Sequence, residues 1–168
     1  MHAVGDTIPG MVISQSGGIE MAERGTREIV QDLIESCKDG ETGYLHAAGI
    51  ADDARLKSYF QEQSAERARF RMELTELIEE MGVQDPDTSG STAAVLHRAW
   101  FEIKDDLGGG DHTLLESVEQ GEDSAKDRYQ EALNSSLPAN IDAVVRRQYT
   151  SVKAAHDRVR DLRDKKAA

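Results

Sequence analysis

The chain has 168 residues, with 20 Lys and Arg against 32 Asp and Glu, a formal net charge of -12 and an isoelectric point near 4.8. That length fits one domain with a genuine core, and the acidic balance argues against a general binder of duplex DNA or of anionic membranes. Aromatic residues make up only 5% and prolines number three, so helices are favoured over β-sandwiches and barrels.

Residues 1–24 carry Gly5, Pro9, Gly10, Gly17 and Gly18 without a sustained hydrophobic period, and a flexible N-terminal arm is expected there. The arm has no basic leader region, and its longest apolar run is Met11-Val12-Ile13, so neither export nor a membrane span is expected. The single cysteine, Cys37, can form no intramolecular disulfide and no cysteine zinc site. A cytoplasmic location follows as the expectation.

From Thr26 the pattern changes. Val30, Leu33, Cys37, Glu41, Tyr44 and Ala48 recur at steps of three and four and predict a helix over Thr26 to Ile50. Asp52 or Asp53 can cap a second helix with the stripe Leu56, Tyr59, Gln63, Glu66, Phe70, Leu74, Leu77 and Met81, ending near Gly82. The segment GVQDPDTSGS is a linker. Ala93, Leu96, Trp100, Ile103 and Leu107 then predict a short crossover helix, closed by Gly108-Gly109-Gly110. Asp111 can cap a further long helix carrying Leu115, Val118, Glu122, Ala125, Tyr129 and Ala132. After a reversal at Ser135, Ser136 and Pro138, the last helix carries Ile141, Val145, Gln148, Val152, Ala155 or His156, Val159 and Leu162, fraying over Lys165 to Ala168.

The four long helices are each about 25 residues, on the order of 37 Å. Their short connections make two antiparallel hairpins, so residues 25–166 are expected to form an all-α up-down bundle, the hairpins joined by the crossover helix. An internal echo supports the pairing: Glu35 to Glu41 and Glu116 to Glu122 share E-S-x-x-x-G-E. A weaker alignment of Tyr59 to Arg71 on Tyr149 to Asp161 sets Glu66 opposite His156.

Polar residues on the apolar stripes are the functional candidates. Glu41, Glu66 and Glu122 each fall between core positions, and a carboxylate buried without a partner costs several kcal/mol. Counted from the two turns, Glu41 and Glu66 lie at similar depth, as do Glu122 and His156. Three carboxylates and an imidazole suit iron, manganese or zinc, and facing bundle helices are where carboxylate-bridged metal pairs are built. No E-x-x-H occurs on the second or last helix, so a full six-ligand di-iron centre is not expected. The alternative is a buried ion-pair layer, with Arg67, Arg69 or Lys153 neutralising the carboxylates and fixing the register of the bundle. His97, Arg98 and Trp100 could cover a site from the crossover. The chain contains no P-loop, no dinucleotide-binding glycine pattern and no nucleophile elbow. Basic residues outnumber acidic ones from Ser136 onward, which predicts pairing with acidic neighbouring helices rather than nucleic-acid binding.

LIESCKDGETGY, LHRAWFEIKDDLGGGD, the GED at Gly121 to Asp123 and RQYTSVKAAHDRVRDLRD together resemble an uncharacterised bacterial family of ferritin-like four-helix proteins, a domain of unknown function, over about residues 26–165. The resemblance implies a ferritin-like bundle and no particular activity. In the wider ferritin-like superfamily the metal ligands are a Glu on the first helix of each hairpin and E-x-x-H on the second. Glu41 and Glu122 correspond to the former; Glu66 and His156 are the nearest candidates for the latter. Two readings therefore stand: a bundle binding iron or manganese through Glu41, Glu66, Glu122 and His156 in metal or oxidative-stress handling, or a non-enzymatic structural or stress-associated interaction protein with a buried salt-bridge layer. A second copy of the chain, as a dimer, is the expected partner.

Overall fold

The structure is a computed structural model and describes residues 15–90 and 110–167. Four helices account for the described chain: α1 Gln15–Ile50, α2 Ala54–Glu80, α3 Gly110–Leu133 and α4 Ala139–Ala167, and no strand occurs among the described residues. The crossover helix expected over Ala93 to Leu107, with His97, Arg98 and Trp100, lies outside the described residues, as do residues 1–14.

The ends of the helices follow local chemistry. Asp53 caps α2, its carboxylate accepting from Arg55 N at 2.8 Å. At the other end Gly82 takes φ +87°, and Gly82 N and Val83 N close on Glu79 O and Ile78 O, a Schellman termination that needs a residue tolerant of the left-handed region. The start of α1 differs from expectation: the helix begins at Gln15, not Thr26. Thr26 does not cap; its hydroxyl donates back to Ala22 O at 3.0 Å, inside a continuous helix. Gly17, Gly18 and Gly25 weaken this first part of the helix by about 1 kcal/mol each relative to alanine without forbidding it. Asp111, expected to cap its own helix, instead sits in the first turn of α3 and accepts from Asp52 N at 2.9 Å and Asp53 N at 3.0 Å. It thereby ties the α1–α2 turn to the start of the second hairpin, where Lys166 also reaches Asp53.

Pairings along the bundle fix the helix directions. Arg27 donates to Met81 O and Ser64 to Glu41 O, so α1 and α2 run antiparallel; Tyr129 bonds Gln148 and Asp123 meets His156, so α3 and α4 do too. Contacts of Cys37 with Tyr129 and of Asp52 with Asp111 set α1 antiparallel to α3, and Glu73 with Arg147 sets α2 antiparallel to α4. The connection from α2 to α3 consequently joins opposite ends of the bundle. Its described portion runs back along α1, with Asp87 O beside Gln31 and Gly90 against Lys38 and Asp39.

The apolar core falls into two clusters. One gathers Val30, Leu33, Cys37, Phe70, Leu74, Tyr129, Val145 and Val152; the other Tyr44, Ala47, Phe60, Leu114, Leu115, Val118 and Val159. On α2 the buried face is Leu56, Phe60, Ser64, Arg67, Phe70, Leu74 and Ile78. The predicted stripe ran through Tyr59, Gln63, Glu66 and Leu77, one residue and hence about 100° away at those positions. That rotation brings Arg67, rather than Glu66, into the bundle.

Candidate functional site

A polar layer lies between the two apolar clusters. At its centre Arg67 of α2 meets Glu122 of α3, Nη2 lying 2.9 Å from Oε1 and 2.8 Å from Oε2, with the residues 2% and 3% exposed. Gly40 makes this possible from α1. A Cβ there would stand 3.2 Å from Arg67 Cγ and 3.4 Å from Cδ, so the absent side chain is the channel through which the arginine passes. The guanidinium carbon lies 6.0 Å from the centroid of the Tyr44 ring and 5.9 Å from that of Phe70, at the outer range of cation–π attraction. Burial works against the charge of Arg67, but Glu122 foremost outweighs it and holds the guanidinium protonated. Arg67 Nε and Nη1 are buried without a hydrogen-bond partner among the described residues. The Tyr44 hydroxyl faces Glu122 without a hydrogen bond of ordinary length, and burial, followed by the charge of Glu122, raises its pKa well above the tyrosine value.

The four candidates from the sequence do not converge on one ion. Glu122 commits both oxygens to Arg67. Glu41 is half-buried and accepts from Arg71 Nε at 2.9 Å, with Lys38 Nζ at 3.6 Å. His156, on α4, places Nε2 2.7 Å from Asp123 Oδ1 and Nδ1 3.1 Å from Asp157 Oδ1, so each ring nitrogen faces a carboxylate. Glu66, displaced from the core face, lines a groove between α2 and α4. Among the described residues no group of three or more His, Cys, Asp or Glu side chains is placed to hold a metal ion. The residues do not fit the di-metal site that the ferritin-like resemblance suggests, because a permanently charged guanidinium already occupies the place of the cation.

Beside the ion pair runs a second buried network. Cys37 Sγ lies 3.1 Å from Tyr129 Oη, which donates to Gln148 Oε1 at 2.8 Å; Gln148 Nε2 donates to Glu73 Oε2 at 2.8 Å, and Glu73 pairs with Arg147 at the surface. Burial pushes the Cys37 thiol up to about 11, in keeping with its place in the apolar core. Gln148 was legible as a stripe position; its partners were not, since they come from two other helices.

The E-S-x-x-x-G-E echo does not reproduce one environment twice. Gly40 is packed on Arg67, whereas a Cβ at exposed Gly121 would meet nothing within 4 Å. Gly121→Ala is accordingly expected to raise stability by about 0.5–1 kcal/mol, the helix-interior difference between the two residues, as measured by urea unfolding. Gly40→Ala gives less or turns destabilising, because Arg67 must yield.

The expected pairing of the basic residues of α4 with acidic neighbouring helices holds for Arg147, Arg163 and Lys166, whereas Arg146, Lys153 and Arg160 pair within α4 itself. Arg146 pairs with Asp142, Arg147 with Glu73, Lys153 with Asp157, Arg160 with Asp157 and Asp161, Arg163 with Glu119 and Asp164, and Lys166 with Asp53. None of the described helices is long and apolar enough to cross a membrane.

Fold and site together define an all-helical bundle whose core is divided by a buried Arg–Glu pair. The chain belongs to the family described as a domain of unknown function, DUF2383, whose model matches residues 26–135, from α1 to the end of α3. A search of the curated proteins finds no match.

Proposed function

We propose that this protein is a non-enzymatic structural or interaction protein, ferritin-like in the order and pairing of its helices, in which Arg67 rather than a metal balances the core carboxylate. The observation that carries this reading is the double contact of Arg67 Nη2 with both oxygens of Glu122 at almost complete burial. Both oxygens of that carboxylate face a fixed cation, and a divalent ion beside it would meet a guanidinium that cannot shed its charge. Two antiparallel hairpins, with a connection from α2 to α3 that joins opposite ends of the bundle, support the ferritin-like arrangement. The buried pair then serves to fix helix register, a polar layer admitting one alignment of α2 against α3 where apolar layers tolerate several.

The test is calorimetric titration of protein purified without chelators, anaerobically with Fe(II) and separately with Mn(II). No stoichiometric binding is expected, and Glu122→Gln should leave the heats unchanged. Stoichiometric uptake by the parent protein, weakened by Glu41→Gln at the rim, would replace this reading with the metal-binding one.

A further inference from the structure

We propose that the groove between α2 and α4 binds an extended zwitterion, a molecule with an ammonium at one end and a carboxylate at the other, of the size of an ω-amino acid. The groove arises because α4 presents small side chains, Ser151, Ala154 and Ala155, opposite α2, leaving an open cleft of about 330 Å³ between two helices that otherwise touch sparingly. That volume lies in the range of small-molecule sites. Tyr59, Gln63 and Glu66 form the α2 wall at the spacing of one helix face, and Arg158 completes the α4 wall.

Register assigns the ends. With Glu73 beside Arg147 and Asp53 beside Lys166, the antiparallel pair sets Arg158 level with Gln61 and Glu62 and Glu66 level with Lys153 and Ala154, so the two charges lie about 6–7 Å apart along the helix axis. Neither Glu66 nor Arg158 has an ion pair among the described residues, on a helix surface where six other basic residues of α4 do. Two opposite charges held apart and left uncompensated at the two ends of one groove are complementary to a ligand carrying both charges. Between them Gln63 Oε1 is buried without a donor, an unmet acceptor that an ammonium N–H satisfies. The ammonium therefore lies at the Glu66–Gln63 end, the carboxylate on Arg158, and the methylene chain along the two alanines. This site stands apart from the Arg67–Glu122 pair and does not depend on the structural reading of that pair.

Calorimetric titration of the full chain with 6-aminohexanoate, hexylamine and hexanoate tests it. One saturable site for 6-aminohexanoate is expected, weakened about tenfold or more by Glu66→Gln and by Arg158→Gln. Hexylamine should lose affinity only with Glu66→Gln, and hexanoate only with Arg158→Gln. Ser151→Leu, which fills the groove from a half-buried position, should abolish binding while leaving the thermal melt in place. Absence of saturable binding up to about 10 mM, or affinity unaltered by both charge variants, would overturn the proposal.

Discussion

Arg67→Met and Glu122→Gln each lower the stability of the fold by about 3–5 kcal/mol, because either change strands a charge in the middle of the bundle. The pair is almost wholly inaccessible, so water cannot take the place of the missing partner. Glu122→Gln is the more instructive of the two: it keeps the shape of the side chain and one acceptor oxygen, yet leaves a guanidinium that stays charged at any working pH. For a chain of this size the loss corresponds to a fall in melting temperature of roughly 6–20 °C, read by differential scanning calorimetry. Gly40 makes the arrangement dependent on α1 as well. Gly40→Leu places a branched side chain where Arg67 Cγ and Cδ pass and is expected to reproduce much of the loss without touching either charge.

The second large effect lies in the Cys37–Tyr129–Gln148–Glu73 network. Tyr129→Phe removes the only donor to Gln148 Oε1 among the described residues and should cost about 1–3 kcal/mol, the penalty of a buried polar atom left unpaired. Gln148→Leu should cost a similar amount and also change the pH dependence. Burial pushes the Glu73 carboxyl up, but hydrogen bonds from Arg147 and Gln148 and the charge of Arg147 outweigh it and hold the group below the ordinary glutamate value. A carboxyl depressed in the folded state adds stability that is present above its unfolded pKa and is lost as pH falls through the folded one. Removing Gln148 takes away part of that depression. Urea midpoints followed from neutral pH into the acid range should fall less steeply for Gln148→Leu than for the parent, and an unchanged slope would count against the network.

How much of this was legible in the sequence differs from helix to helix. The stripes of α3 and α4 match the buried faces because their apolar residues recur at steps of three and four: Val118, Glu122, Tyr129 and Ala132 on one, Val145, Gln148, Val152 and Val159 on the other, with both Ala155 and His156 buried where either was expected. On α2 two neighbouring faces are both plausible, since Tyr59 adjoins Phe60, Glu66 adjoins Arg67 and Leu77 adjoins Ile78. The correct face is the one through Phe60 and Ile78, and choosing the other turned Glu66 inward and Arg67 outward. An arginine also reads as a surface residue until a partner is known, and Glu122 lies 55 residues away on a different hairpin. The expectation of a buried ion-pair layer named Arg67, Arg69 or Lys153 from the need to neutralise carboxylates, a constraint of charge rather than of pattern; Arg67 enters the layer, while Arg69 is exposed and Lys153 pairs with Asp157. The pairing of Glu41 with Arg71 and the capture of His156 by two aspartates depend on side-chain reach at the rim, where helical periodicity carries no information. Asp111 was recognised as a capping residue, but its amides belong to the neighbouring turn rather than to its own helix.

The central claim, that Arg67 is the cation on which the core carboxylate depends, is tested most directly by a double-mutant cycle of Arg67→Met and Glu122→Leu, measured by urea unfolding with a chelator present throughout. The account predicts that each single variant loses several kcal/mol and that the double variant returns to within about 1 kcal/mol of the parent, the lost charges cancelling. Costs that simply add, with a coupling below about 0.5 kcal/mol, would contradict it.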